Sequence, residues 1–288
     1  MTTPPTFLDL PPEMCDPERA RYVVLPIPYE GTVSYAAGTA AGPAAIIEAS
    51  TQVELYDEEL GAECVAAGVA TLPPVPAADA PAVMMDRVRA AAEPLMRGGK
   101  FVLALGGEHS ITAPLVAAAQ EAFGSLSVLH IDAHADLRQA YSGTPHSHAS
   151  VMRRVLEITP HLVQVGIRSL SKEEADACPD QVARFITPQI VEDDPNWVER
   201  ALDGLGERVY VTVDMDGLDP SIAPGVGTPE PGGLSWRQVQ RLLRRVAEER
   251  EVVAADVVET CPIPGQNLTQ FVAARLAYKI IAYTQRRA

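Results

Sequence analysis

The stretch SVLHIDAHAD, residues 127–136, joins a buried-looking run directly to a row of acidic and imidazole side chains. Residues 127–131 are mostly apolar without strict alternation, which is typical of a strand covered on both faces. Two other runs end in the same way: FVLAL (101–105) is followed by GGEH, and RVYVTV (208–213) by DMD. The pattern predicts parallel strands whose polar ends share one edge of a sheet, where open α/β sheets bind ligands.

The rest of the chain continues this alternation of strands and helices. Three more buried strands are predicted at residues 21–27, 162–166 and 252–258. Amphipathic helices are predicted at 84–97 and 268–283, and the capping-box pattern predicts further helix starts at Ser171 and Ser235. The alternation predicts one three-layer α/β/α domain that spans residues 1–288.

The composition restricts the classes of function. Hydrophobic residues make up 47% of the 288 residues and charged residues 21%, as in folded globular proteins. The net charge of −15 disfavours nucleic-acid binding, which needs a basic surface. The sequence has no apolar run of the roughly 20 residues that span a bilayer, and its start lacks the pattern of a secretory signal. Its four cysteines form no CxxC pair, which favours reduced thiols. We therefore expect a cytoplasmic protein that binds neither nucleic acid nor membrane.

The polar clusters after the strands carry the strongest chemical signal. In an extended DAHAD segment, Asp132, His134 and Asp136 face the same side, and Asp214 and Asp216 do likewise. Carboxylates that converge without a neutralising lysine repel one another and are costly to bury. A single such residue is adequately explained as a helix cap, but three clusters at three strand ends are not. Bound divalent cations resolve the problem.

The donor set predicts which metal binds. Four carboxylates and two imidazoles suit Mn²⁺, with Fe²⁺, Co²⁺ or Zn²⁺ as substitutes. The carboxylates exceed what one ion needs, which indicates two ions with bridging Asp residues. Two ions about 3.5–4 Å apart would hold a bridging water and generate hydroxide near neutral pH. The sequence therefore predicts metal-assisted hydrolysis. The six predicted ligands are His109, Asp132, His134, Asp136, Asp214 and Asp216.

Five motifs together resemble the ureohydrolase family of arginases and agmatinases. They are GGEHS (106–110), VLHIDAHADLR (128–138), SHASVMRR (147–154), VTVDMDGLDPSIAPGVGTPEPGGLS (211–235) and DVVETCP (256–262). LPIPYEGTVSY (25–35) is similar to the agmatinase branch. The resemblance implies an α/β/α sandwich around a mainly parallel eight-stranded sheet, two Mn²⁺ per subunit, and a homo-trimer or hexamer.

The resemblance also implies roles for the individual metal ligands. His109 and Asp136 would be terminal ligands of one Mn²⁺, and His134 and Asp216 of the other. Asp132 and Asp214 would bridge the two ions. Asp136 would also accept a proton during the reaction.

Two further residues complete the implied mechanism. Glu259 matches the family acid that holds the substrate guanidinium, because a carboxylate accepts two parallel N–H bonds from that planar group. His148 matches the family histidine that relays protons, and its ordinary pKa suits that task. On spacing alone, the alternatives are a capping or surface residue for Glu259 and an exposed loop histidine for His148. His146 competes with His148 on chemistry, but the SHASVMRR motif favours His148.

The sequence constrains the guanidinium group of the small cationic substrate more strongly than it constrains the tail attached to that group. Arginases hold the substrate carboxylate with an asparagine shortly after the DxHxD motif, whereas this chain has Arg138, so arginine ranks low. We expect agmatine first, hydrolysed to putrescine and urea by attack of a metal-bridging hydroxide. N1-aminopropylagmatine, giving spermidine and urea, ranks second, and guanidino acids such as 4-guanidinobutyrate third, since Arg138 would favour a carboxylate tail. Glu230 in GTPEPGG would attract a distal ammonium, unless it is a solvent-facing loop residue.

Two other classes compete with this prediction. The chain could be a metal-binding homologue that has lost catalysis, but all six ligands, Glu259 and His148 are present. A dinuclear phosphoesterase would also use such a metal set, but it would not explain the match across five separate motifs.

Overall fold

A parallel sheet forms the centre of the protein in the computed structural model, which describes residues 5–285. The strands are β1 (Tyr22–Ile27), β2 (Tyr56–Asp57), β3 (Ala62–Glu63), β4 (Val69–Thr71), β5 (Phe101–Gly106), β6 (Ser127–Ile131), β7 (Leu162–Val165), β8 (Arg208–Asp214) and β9 (Glu251–Val258). Seven of them form one sheet in the order β4-β1-β5-β9-β8-β6-β7, in which all neighbours are parallel. Strands β2 and β3 form a separate antiparallel pair.

Helices cover both faces of the sheet. They are α1 (Gly42–Ser50), α2 (Pro81–Arg97), α3 (Thr112–Phe123), α4 (Val151–Ile158), α5 (Lys172–Ala177), α6 (Pro179–Val182), α7 (Pro188–Asp193), α8 (Trp197–Asp203), α9 (Trp236–Glu249) and α10 (Leu268–Gln285). Helices α2, α3 and α4 pack side by side on one face, and α1, α10, α9 and α8 on the other. The three-layer α/β/α architecture expected from the sequence is confirmed.

Successive residues of the central strands enter two different cores. In β5, Val102 and Ala104 belong to the core beneath α2 and α3, whereas Leu103 and Leu105 belong to the core on the opposite face. All four side chains are buried. This two-sided burial explains why the strand sequence is apolar at consecutive positions.

The sheet has seven strands within the described residues, not the eight implied by the family resemblance. The eighth position is reduced to one parallel bridge between Ile186 and Val165 at the β7 edge. A longer strand cannot form, because the Thr187 hydroxyl accepts from Ile190 N and caps α7, and Pro188 has no N–H to donate.

The six strands predicted from sequence are all present, and each begins and ends within one residue of the prediction. Strand β4 escaped prediction because it has only three residues. The capping boxes at Ser171 and Ser235 are formed and open α5 and α9. Among residues 5–285, none of the helices combines the length and apolar character that a membrane span requires.

Candidate metal centre

The predicted metal ligands come together at the carboxyl edge of the sheet. Strands β5, β9, β8 and β6 are consecutive neighbours, so the loops that follow them lie side by side. His109 follows β5, Asp214 ends β8, and Asp216 comes two residues later. Asp132, His134 and Asp136 follow β6. The topology therefore collects side chains that are more than 100 residues apart in sequence.

The ligand candidates form two groups that share Asp132. In the first, His109 Nδ1 lies 3.2 Å from Asp132 Oδ2, 3.3 Å from Asp136 Oδ2 and 3.2 Å from Asp214 Oδ2. In the second, His134 Nδ1 lies 3.1 Å from Asp216 Oδ2 and 3.5 Å from Asp132 Oδ1. Asp132 thus presents one oxygen to each group. This is the arrangement that a bridging carboxylate between two ions requires.

Hydrogen bonding fixes the tautomer of His109 in the form that binds a metal. The Thr212 hydroxyl donates to Asp256 Oδ1 at 2.6 Å, so its single proton is already used. His109 Nε2, 3.0 Å from the same hydroxyl, must therefore carry a proton and donate it to Thr212. His109 Nδ1 is left with a lone pair and, although buried, has no hydrogen-bond partner among residues 5–285. An unpartnered ring nitrogen among three carboxylates fits a metal ligand.

The acidic side chains of the cluster lack compensation within the described residues. All four carboxylates are buried, and their side-chain ion pairs in residues 5–285 are with histidines alone. Burial and the charge of Asp132 raise the pKa of Asp136 to about 7. Burial and the charge of Asp216 raise the pKa of Asp214 well above its ordinary value. A divalent cation would remove this penalty, so the donor set fits metal ions.

Two residues of the site have left-handed backbone conformations. Asp136 has φ 54° and Glu259 has φ 62°, a region that costs side chains other than glycine about 1–3 kcal/mol. The Asp136 carbonyl accepts from Met152 N and Arg153 N, and Glu259 N donates to Gly107 O. These contacts hold the strained backbone and turn both carboxylates toward one pocket.

A pocket of about 270 Å³ opens above the cluster. Its lining includes five of the six ligand candidates together with Glu259, His148 and Arg138. Asp132 is fully buried and lies beneath the pocket floor. Glu259 is 8% exposed, its Oε1 accepts from His109 N at 2.7 Å, and burial raises its pKa well above the ordinary value. A cationic ligand in the pocket would favour the ionised form of this carboxyl group.

His148 reaches the same pocket, whereas His146 does not. His148 Nε2 lies 2.7 Å from Ser34 Oγ, and its ring packs edge-on against Tyr141 with 5.6 Å between centroids. Burial, the largest cause, together with the neighbouring imidazoles of His109 and His134, lowers the pKa of His148 to about 4. His146 lines a different cavity, beside α2 and α4. The structure therefore separates the two competing histidines.

Arg138 lines the pocket, but its charge is engaged by neighbouring side chains. Its Nε lies 3.9 Å from Glu174 Oε2, and its guanidinium is 5.3 Å from the centre of the Tyr141 ring. Glu174 is itself buried and accepts from Leu137 N and Ser171 N. Arg138 thus lies at the pocket beside a carboxylate that partly offsets its charge.

Glu230 is absent from the residues that line this pocket. Arg168 holds its loop through the backbone, since Nη2 donates to the carbonyls of Glu230 at 2.6 Å and Asp216 at 2.8 Å, and Nε to Pro231 at 3.0 Å. Thr228, two residues before Glu230, does line the pocket, and the role of Glu230 toward a distal ammonium stays a prediction. Arg168, which we had not assigned to the site, fixes the loop beside it.

Three buried residues that support the ligand candidates were not identified from the sequence: Asp256, Thr212 and His130. Asp256 lies in β9 and accepts from the side chains of Thr212, Thr112 and Tyr210. Thr212 in turn contacts His109 Nε2. His130 Nε2 donates to Asp132 Oδ2 at 2.7 Å, because its Nδ1 accepts from Gln164 Nε2. The signal was present: an Asp, a His and a Thr interrupt strands that are otherwise apolar.

Comparison with known proteins agrees with this geometry. The model of the Arginase family matches residues 20–282. The chain is 41% identical over 272 residues to the N(1)-aminopropylagmatine ureohydrolase of Synechocystis sp., covering 92% of this chain and 89% of that protein. It is 34% identical over 252 residues to an agmatinase of Bacillus anthracis, covering 85% of each. The crystal structure of agmatine ureohydrolase of Thermoplasma volcanium superposes with a TM-score of 0.89 at 33% identity, covering 99% of this chain and 96% of that one.

Proposed function

Since the chain belongs to the arginase family, whose members hydrolyse C–N bonds of linear amidines, we propose that it hydrolyses N1-aminopropylagmatine to spermidine and urea. The single observation that carries the assignment is the pocket in which Glu259 and His148 face the shared His/Asp cluster. We assign two Mn²⁺ to this cluster. His109 and Asp136 would hold one ion, His134 and Asp216 the other, and Asp132 and Asp214 both.

Agmatine is the second candidate. The sequence alone ranked it first, but the relatives favour the longer aminopropyl substrate, because the 41% identical protein is named for it and the agmatinase is 34% identical. Among the residues that line the pocket, Arg138 is the one arginine or lysine, and the Glu174 carboxylate 3.9 Å away weakens its attraction for a carboxylate tail. Both observations support ranking 4-guanidinobutyrate and arginine behind the two amine-tailed compounds.

Each of these pocket residues has a separate role in the proposed reaction. Metal ions bound by the His/Asp cluster would supply a nucleophile from water and would stabilise negative charge that develops on the substrate. Glu259 accepts parallel N–H bonds from the guanidinium and so fixes its central carbon. Asp136 accepts a proton as attack occurs and returns it to the departing amine. His148 exchanges protons between the pocket and solvent.

A substrate panel tests the assignment. Urea release would be measured as kcat/KM for N1-aminopropylagmatine, agmatine, 4-guanidinobutyrate and arginine, with Mn²⁺ saturating. We expect N1-aminopropylagmatine to exceed agmatine at least about tenfold, which corresponds to ~1.4 kcal/mol of transition-state binding. A higher value for agmatine would select the second candidate. No urea from any compound would instead indicate a metal-binding homologue without catalysis.

A matched pair of variants tests the role of Glu259. Glu259→Gln keeps the shape but loses the charge, and we expect kcat/KM to fall about 100-fold or more while bound manganese is unchanged. Glu121→Gln is the control, because that exposed glutamate on α3 is not among the residues that line the pocket. Equal effects of the two variants would contradict the assignment.

We also propose that the chain forms one domain across residues 1–288 and assembles as a homo-trimer or hexamer, as the family resemblance implies. Light scattering of the purified protein measures the assembly mass. A mass near 30.8 kDa, that of one chain, would contradict the oligomer.

A further inference from the structure

Glu108, between the glycines and the metal ligand of GGEHS, is a fully buried carboxylate outside the ligand set. Its Oε2 accepts from Gly31 N and Thr32 N, both at 2.6 Å. Its Oε1 accepts from Ser110 Oγ at 2.6 Å and from Thr32 Oγ1 at 2.7 Å. Four donors thus fill the acceptor sites of the group, which is how an ionised carboxylate is satisfied in a protein interior.

The Thr32 hydroxyl connects this carboxylate to His148. It donates its one proton to Glu108 Oε1 at 2.7 Å, because both Glu108 oxygens also act as acceptors toward the other donors around them. The same oxygen lies 3.1 Å from His148 Nδ1 and also accepts from His148 N at 3.1 Å. With its proton committed, Thr32 acts toward His148 only as an acceptor. Ser147 Oγ also lies near Nδ1, but at 3.4 Å, so the shorter contact with Thr32 favours a proton on His148 Nδ1.

We propose that Thr32 and Glu108 are positioning residues that keep His148 protonated on Nδ1, so that Nε2 alone exchanges protons with the pocket. The chain of bonds runs from His148 Nδ1–H to Thr32 Oγ1 and from Thr32 O–H to Glu108 Oε1. His148 Nε2 then has a lone pair and accepts from Ser34 Oγ at 2.7 Å. This inference rests on the proposed function, since it gives His148 the task of moving protons.

The arrangement serves proton transfer in both directions. When Nε2 takes a proton from the pocket, the ring becomes a cation and keeps its bond from Nδ1 to Thr32. The Glu108 carboxylate, one hydroxyl away, stabilises that cation, as a buried acid does behind a catalytic histidine. When Nε2 releases the proton, the neutral ring returns to the same tautomer. The ring therefore does not need to flip. Ser34 Oγ, 2.7 Å from Nε2, occupies the position from which water or an amine would exchange a proton with that nitrogen.

A pair of substitutions at Thr32 tests the connection. Thr32→Val keeps the shape of the side chain but removes the hydroxyl, and Thr32→Ser keeps the hydroxyl. We expect Thr32→Val to lower kcat about 10- to 100-fold with KM changed less than about threefold, and Thr32→Ser to recover most of that loss. Equal losses in Val and Ser, or a loss confined to KM, would overturn the proposal.

Ser110→Ala separates positioning from general damage around Glu108. It also removes one donor to Glu108 Oε1, but it leaves the bonds between Glu108, Thr32 and His148 in place. We expect kcat to fall clearly less than in Thr32→Val. A loss as large as that of Thr32→Val would show that the carboxylate environment matters and the Thr32 link does not.

Neutron diffraction from crystals of the deuterated, manganese-loaded protein reads the tautomer directly and needs no turnover. We expect deuterium on His148 Nδ1 and on the Thr32 hydroxyl toward Glu108. An Nδ1 without deuterium would overturn the proposal, whether or not the enzyme hydrolyses N1-aminopropylagmatine. Failure of the whole substrate panel with deuterium on Nδ1 would instead overturn the function and leave the positioning intact.

Discussion

Two clusters of buried charge lie on different sides of this protein, and they are built in opposite ways. At the carboxyl edge of the sheet, four carboxylates face one another with histidines as their partners. In α10, the side chain of Lys279 is fully buried, and its Nζ lies 2.7 Å from Asp57 Oδ2 and 3.2 Å from Glu59 Oε2. The second cluster is neutralised by the chain itself.

The contrast shows how to distinguish a structural charge from a ligand site. Lys279 joins the β2–β3 hairpin to α10, and Glu59 also accepts from Tyr283 and Arg244. Every charge there has an opposite charge at contact distance. The Asp cluster at the sheet edge is equally buried but keeps an excess of negative charge and an unpartnered histidine nitrogen. Buried charge that the chain itself does not neutralise indicates a site for a bound ligand.

Removing metal should have the largest effect, because the sheet-edge cluster depends on a partner from outside the chain. We expect chelation to abolish urea release and Mn²⁺ to restore it. We also expect saturating Mn²⁺ to stabilise the fold by about 2.7 kcal/mol at a hundredfold excess over Kd, measured as a higher midpoint of thermal unfolding. Full activity after exhaustive chelation would contradict the metal-centre assignment.

Lys279→Met should have the next largest effect, now on stability. The substitution keeps the apolar stem but leaves Asp57 as a buried charge without its cation. We expect the free energy of unfolding in urea to fall by about 3–5 kcal/mol.

The double variant Lys279→Met/Asp57→Asn serves as the control for that prediction. It removes both charges, so we expect it to recover part of the loss. In either variant, the increase in thermal midpoint caused by Mn²⁺ should match that of the unchanged protein. A single variant as stable as the parent would show that the pair does not matter.

Glu59→Gln should have a smaller, pH-dependent effect. Burial opposes ionisation of Glu59, but hydrogen bonds from Tyr283, Arg244 and Lys279 outweigh it and lower its pKa to about 2. A depressed folded-state pKa stabilises the protein above the unfolded-state pKa of about 4.3, and this contribution is lost as pH falls toward 2.

We therefore expect Glu59→Gln to cost about 1–2 kcal/mol at pH 7, measured by urea unfolding of the metal-free protein. The difference in unfolding free energy between variant and parent should shrink as pH falls from about 4.3 toward 2, the window set by those two pKa values. A difference that stays constant over this range would contradict the shifted pKa.

Lys172→Ala should have the smallest effect. Lys172 Nζ lies 2.7 Å from Asp176 Oδ2, the same distance as in the Lys279–Asp57 pair, but the two side chains are 86% and 65% exposed. Water screens this pair, so we expect the thermal midpoint to change by no more than about 1 °C. A loss comparable to that of Lys279→Met would show that distance, and not burial, sets the value of a pair here.

Much of the site could be predicted because its signals are local in sequence. An apolar run followed by Asp132, His134 and Asp136 fixes a strand end and the side to which three donors point. The same holds for Asp214 and Asp216. The motif of Glu230 gives its loop but not the direction of its side chain, and Arg168, 62 residues away, donates to a carbonyl of that loop.

The sequence by itself determined the parallel strands, the layers and the inventory of metal donors, because strand periodicity and the polarity of strand ends are properties of neighbouring residues. Only the tertiary structure decided which donors share Asp132 and which nitrogen of His109 is free. It also decided that His148 contacts Thr32, 116 residues away, and that Thr32 in turn donates to Glu108. Those facts depend on the direction of single hydrogen bonds between loops. Loops that follow different strands come within hydrogen-bonding distance only when the sheet has been assembled.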